Sequence, residues 1–168
     1  MKLASLLVAF MSTVAAAHVA PAPRTVPCSE IIDHTRFPYR GSGYRLALGA
    51  VSVPPAYLRQ VVPTGQRPWA YWRKAGLVVR AGSPPVTVTV PKEWRHRAAI
   101  TWGNSTGIVA WLRLTGCEPA RNVGHAYAGG FYLRLPSACL PLIFRVGRRT
   151  ATVRFGLGRR CLSPAAAP

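Results

Sequence analysis

The stretch that most constrains this chain is Val86 to Val90, where three valines alternate with Thr87 and Thr89 between Pro84-Pro85 and Pro91. A period of two sends one set of side chains into a core and the other toward water, so a strand is dictated here. Around it, from Trp69 to Gly103, short apolar runs are separated by Gly/Pro turns and flanked by Trp and Arg. This is the pattern of an antiparallel β core. Trp69, Tyr71, Trp72, Trp94 and Trp102 supply its aromatic surface, each ring able to bury about 150–250 Å².

No helical period longer than a turn occurs elsewhere, and turn signals recur throughout. Eight or nine short strands are predicted, in an antiparallel β-sandwich, Ig-like or a related barrel. CSEIIDHTRFPYRGSG opens with a helical turn capped by Ser29 and is stopped by Pro38 and the Gly41–Gly43 loop. Tyr44 to Val53 reads as one strand whose apolar phase shifts across Gly49, as a bulge would produce. Ala56 to Val62 reads as a short strand. Trp69 to Arg80 holds a strand through Leu77, Val78 and Val79, and Arg95 to Trp102 another. Ile108 to Leu114 is apolar on both sides until Arg113, which places it in the middle of a sandwich. Beyond a bend at Gly129-Gly130, Phe131, Leu133 and Leu135 alternate with Tyr132 and Arg134. The last hairpin is the best specified. With Gly147-Arg148 as a two-residue turn, Phe144 faces Ala151 and Leu142 faces Val153 on one side, while Arg145 faces Thr150 and Ile143 faces Thr152 on the other.

The ends read differently. Residues 1–17 carry Lys2, an apolar run and small residues at Ala15 and Ala17, the pattern of a secretory signal peptide cleaved after Ala17. Residues 18–27 are an extended Pro-rich linker, 28–161 one β-sandwich domain, and 162–168 a small-residue tail expected to be disordered. Export makes Cys28, Cys117, Cys139 and Cys161 two disulfides rather than metal ligands, since neither C-x-x-C nor H-x-x-x-H occurs. If Ile108–Leu114 and Tyr127–Leu135 form a hairpin, Cys117 lies at its loop end and Cys139 beyond the other. Cys161 returns to the Cys139 end after the last hairpin. The expected pairs are therefore Cys139–Cys161 and, by exclusion, Cys28–Cys117.

Lys+Arg number 22 against 4 Asp+Glu, a net charge of +18. Nineteen of the 22 are Arg, a usage typical of high-GC bacterial genomes, but the shortage of acids has no such explanation. A field this positive draws the protein to polyanions at low ionic strength. The phrases YAGGFYLRLPSACLPLIFRVGRRTATVRFGLGRRC, WRKAGLVVRAGSPPVTVTVP and ITWGNS resemble a group of secreted, disulfide-containing β-domain proteins of unassigned function from high-GC Gram-positive bacteria. That resemblance implies secretion and a disulfide-bearing β domain, with no activity attached.

Catalytic constellations are scarce. The only acids are Glu30, Asp33, Glu93 and Glu118, and Asp33-His34 is the one place where a carboxylate adjoins an imidazole. Adjacent side chains on a strand diverge, which argues against a dyad. With the cysteines oxidised, no thiolate remains for catalysis. No phosphate loop, cofactor fingerprint, zinc finger or RRM signature is present. The stronger lead is aromatic–cationic interleaving at Trp69, Trp72, Arg73, Trp94, Arg95 and Arg97, side chains that could stack sugars or bases and neutralise acidic groups. The alternative is core aromatics with Arg on the solvent face. Arg134, Arg145 and Arg154 could add a basic stripe to the last strands. The expectation is a secreted, non-enzymatic binding or structural module at the cell surface, with an anionic envelope polymer as partner. A secreted hydrolase using Glu93, Glu118 or Asp33-His34, and a cationic antimicrobial or toxin-like protein, are the alternatives.

Overall fold

The structure, a computed structural model, describes residues 23–162. The predicted signal peptide, residues 18–22 of the linker and residues 163–168 of the tail lie outside the described residues. In chain order the strands are β1 (Arg24–Val26), β2 (Ile31–Arg36), β3 (Arg45–Ala47), β4 (Val51–Val53), β5 (Tyr57–Leu58), β6 (Val62–Pro63), β7 (Tyr71–Lys74), β8 (Leu77–Arg80), β9 (Val86–Thr89), β10 (Ala98–Trp102), β11 (Trp111–Leu114), β12 (Val123–Tyr127), β13 (Gly129–Leu133), β14 (Ala138–Val146) and β15 (Arg149–Leu157). The all-β expectation holds. The strands are shorter and more numerous than the eight or nine expected, and they form three open sheets rather than a barrel: β1-β11-β9-β14-β15-β5, β10-β13-β7-β6 and β2-β12-β8-β4-β3. Pairing is antiparallel except β1 with β11 and β15 with β5.

Strand β9 behaves as its alternation requires, with Val86, Val88 and the following Val90 wholly buried and Thr87 and Thr89 half-buried. The final hairpin has the predicted register: Phe144 opposite Ala151, Leu142 opposite Val153, Arg145 opposite Thr150 and Ile143 opposite Thr152. Gly147 opens its turn at φ 57°, a conformation that glycine takes without strain. A single core gathers residues of all three sheets. Aromatic rings bridge it: Trp102 meets Phe131 edge-on at 5.6 Å, Phe131 lies 5.1 Å from Phe155, and Phe155 lies 6.5 Å from Phe144.

Two stretches of chain change sheet at one corner. The predicted run Trp69–Arg80 becomes β7 in the four-stranded sheet and β8 in the five-stranded sheet, and Val123–Leu133 is β12 and β13 in the reverse order. Strands that change sheet make such corners. The crossings are bonded to each other, Ala75 N–H donating to Gly129 C=O at 2.8 Å and Gly103 N–H to Ala128 C=O at 2.9 Å. The buried Trp102 indole Nε1–H closes the corner on Ala75 C=O at 2.8 Å. A Cβ on Gly129 would run into the Thr101 carbonyl and the Trp102 backbone, so glycine is what lets the crossing approach β10.

Several expectations are corrected. Tyr44–Val53 is a hairpin, not a bulged strand. Leu48 and Gly49 take φ 52° and 69° in a turn closed by Ala50 N–H to Ala47 C=O, and Arg45 pairs with Val53. Reversing the chain shifts the apolar phase as a bulge does, so the two look alike in sequence. Strand β11 buries one face only: Leu112 and Leu114 are inside, Arg113 is exposed and Trp111 half-buried. It pairs with β1 and β9, and not with Tyr127–Leu135, so the hairpin invoked for the disulfides does not exist. The pairs Cys28–Cys117 and Cys139–Cys161 nevertheless form. Ser29 lies inside the 3-10 turn Cys28–Glu30, whose N-cap is Pro27, and caps nothing. The lead-in supplies a strand, because Thr25 and its neighbours in β1 pair in parallel with β11 and bury Val26 completely. Leu135 ends the β13 alternation exposed rather than inside.

Candidate aromatic and cationic binding face

The geometry follows from alternation on β7 and β13. Phe131 and Leu133 point into the core, so Tyr132 between them points out. Trp72 is the direct cross-strand partner of Tyr132 and shares its face. The two rings lie 4.5 Å apart at 38°, both half-buried, an aromatic platform on the outer side of the four-stranded sheet. One residue beyond β13, the exposed Arg134 guanidinium lies 5.7 Å over the Trp69 ring. Arg134 N–H donates to Arg97 C=O at 3.0 Å, which makes Arg97, the residue just before β10, its neighbour. Arg97 in turn lies 4.3 Å over Trp94. Two arginines thus sit side by side, each spread on an indole. Such stacking contributes about 0.5–1 kcal/mol per pair at exposed sites and holds the guanidinium plane where its edge can donate to an oxyanion.

Of the six residues singled out in the sequence, Trp69, Trp72, Trp94 and Arg97 join this face. Arg73 and Arg95 do not. Arg73 follows Trp72 on β7 and so points to the opposite side, across from Phe131. Arg95 Nε donates to Val90 C=O at 3.1 Å and its guanidinium lies 5.1 Å from the Trp111 ring. Tyr132 is not among the residues the sequence singles out, and Arg134 enters there only as part of a basic stripe, although the alternation of both with Phe131 and Leu133 is visible. What was invisible is that β13 pairs with β7. The proposed basic stripe also divides: Arg134 belongs to the four-stranded sheet, while Arg145 and Arg154 lie in the long hairpin of the six-stranded one.

Two of the four carboxylates are engaged elsewhere. Glu30 accepts the backbone N–H groups of Asn104 at 2.5 Å and Ser105 at 3.2 Å, and hydrogen bonding from these two residues holds its carboxyl below the usual range. Asp33 Oδ1 accepts the His34 backbone N–H at 2.8 Å, while the His34 ring turns to the other side of the strand to meet His125 edge-on at 5.1 Å. Asp33-His34 is therefore no dyad. Among the described residues no group of three or more His, Cys, Asp and Glu side chains is arranged to hold a metal ion. A cleft of about 540 Å³ is lined by Arg80, Arg121 and Arg149 with Ser83 and Asn122, and no carboxylate lines it.

Fold and face together define a basic all-β domain with two disulfides and an aromatic–cationic surface on one sheet. Among the described residues no helix is long and apolar enough to cross a membrane. Compared with known protein families and with curated proteins, the chain matches none.

Proposed function

We propose that this protein is exported and works as a non-enzymatic binding module for an anionic polymer of the cell envelope. The observation that carries this reading is the juxtaposition of the Trp72–Tyr132 platform with Arg134 on Trp69 and Arg97 on Trp94. Flat rings hold the polymer's sugar or polyol units, and the stacked guanidiniums meet its acidic groups. The two disulfides fit an oxidising destination. A net charge of +18 steers a polyanion toward the surface from a distance.

The test is binding of the full chain to lipoteichoic acid and to heparin, followed by calorimetry across a salt series. Affinity should fall steadily as salt rises, because exposed charges are screened over about 10 Å at 0.1 M. Trp72→Ala with Tyr132→Ala should weaken binding at fixed salt by about five- to a hundredfold, the worth of one to two stacked rings. Binding that responds to salt but is indifferent to this double substitution would reduce the effect to bulk charge. No binding at low salt would end the reading.

A further inference from the structure

Arg73, turned away from the aromatic face, enters a cleft of its own. Two contiguous cavities of about 430 and 460 Å³ share Arg59 and Arg73; Tyr39, Tyr44, Tyr57 and Lys74 line the first. No Asp or Glu lines either one. The Arg73 Nε is buried and has no hydrogen-bond partner. Arg73 lines both cavities together with Arg59, so this end of the cleft offers guanidinium donors to an acceptor from outside the chain. Arg59 and Lys74 are exposed beside it. Tyr39 and Tyr44 meet edge to face at 4.9 Å, and Tyr44 is fixed by donating its hydroxyl to Gly76 C=O at 3.1 Å. Tyr57 is backed by the Arg160 guanidinium 4.8 Å from its ring. Three aromatic walls, two of them anchored, surround a paired-arginine end.

We propose that this cleft binds one acidic sugar unit, its oxyanion held by Arg73 and Arg59 and its ring by the tyrosines. The oxyanion answers the paired positive charge of Arg73 and Arg59, which a neutral sugar hydroxyl meets more weakly. A guanidinium fork donates to carboxylate and phosphate in the same two-point geometry, so a uronic acid and a sugar phosphate share the chemistry. The site lies on the opposite side of β7 from Trp72 and stands or falls separately from polymer capture.

The experiment is an NMR titration of the full chain with glucuronate, glucose 6-phosphate, glucose and inorganic phosphate. Saturable binding of glucuronate or glucose 6-phosphate is expected, with shifts at Tyr39, Tyr44 and Tyr57. Arg73→Gln should weaken it about tenfold or more, as removal of a charge-assisted hydrogen bond does. Should Arg73→Gln unfold, the exposed Arg59→Ala gives the same reading on an intact fold. Trp72→Ala should leave the titration unchanged while lowering polymer affinity. Failure of both acidic sugars to saturate, or affinity unaltered by Arg59→Ala, would overturn the site. Glucose binding as well as glucuronate would refute the oxyanion, and phosphate binding as well as glucose 6-phosphate would refute the sugar.

Discussion

His125 is the residue whose chemistry is most at odds with its place. It is 3 % exposed, its Nδ1 has no hydrogen-bond partner, and the His34 ring faces it from the neighbouring strand. Burial first, and the His34 charge second, push its pKa below the ordinary 6.5; the Gly116 backbone and Glu118 pull more weakly the other way. A histidine depressed in the folded state takes its proton in the unfolded chain first. Above the ordinary value both states are neutral and stability is indifferent to this group. As pH falls below 6.5 the unfolded chain binds more protons and stability drops, with a slope of at most about 1.4 kcal/mol per pH unit. Urea midpoints taken from pH 8 to pH 5 should therefore fall in the wild type and lie flatter in His125→Gln. An equal slope in both would show that the titration resides elsewhere. Stopping at pH 5 keeps out Glu30, whose lowered pKa withdraws stability only as pH falls below 4.5. Trp102 tests the corner in the same way. Trp102→Phe leaves the Ala75 carbonyl without its 2.8 Å donor inside the core and removes ring volume, and should cost about 2–4 kcal/mol in urea unfolding. A loss under about 1 kcal/mol, the net worth of one ordinary hydrogen bond, would mean that the indole is not what closes the corner.

Two glycines separate what turns demand from what strand crossings demand. Gly147 has φ 57° and open space within 4 Å of where a methyl group would stand, so Gly147→Ala meets only the strain of the left-handed backbone, about 1–2 kcal/mol. Gly129→Ala meets the Thr101 carbonyl and Trp102 and should cost at least about 3 kcal/mol, in the range reserved for overpacking. Thermal or urea unfolding that ranked the two the other way would remove the close approach from the account of this corner. These elements also show where sequence reading succeeds. The β14–β15 register was legible because one two-residue turn and one apolar face leave a single pairing that buries Leu142 and Phe144. The splitting of Trp69–Arg80 was not. Ala75-Gly76 carries no strong turn signal, and the groups that bond the chain at its change of sheet, the Trp102 indole, the Gly129 carbonyl and the Tyr44 hydroxyl, are distant in sequence. Nor was the Leu48–Gly49 turn, since Leu48 at positive φ is a conformation its type seldom adopts.

Across the whole molecule, the binding face was legible in its ingredients and not in its assembly. Interleaved Trp and Arg announce themselves in sequence, but which Arg reaches which ring depends on β7 lying beside β13 and on strand parity, which sent Arg73 to one side and Trp72 to the other. The disulfides teach the reverse lesson: the pairs were right although the hairpin used to infer them is absent. What brings Cys28 to Cys117 is the parallel pairing of β1 with β11, which lays the chain just before Cys28 beside the chain just before Cys117. That bond ties the approach to β2, in the five-stranded sheet, to the end of β11, in the six-stranded one, across a separation of 89 residues. The Cys139–Cys161 bond spans 22 and only returns the end of the described chain to the start of β14. Restricting the unfolded chain over these loops is worth about 4.6 and about 3.4 kcal/mol respectively. Replacing Cys28 and Cys117 by Ser should therefore lower stability by about 1 kcal/mol more than replacing Cys139 and Cys161 by Ser, if loop length governs. The longer bond also joins two sheets, so its loss should in addition loosen β1 and β2, read as faster amide exchange there than in β14. Equal exchange in β1, β2 and β14 would show that the six- and five-stranded sheets hold together through the shared core alone.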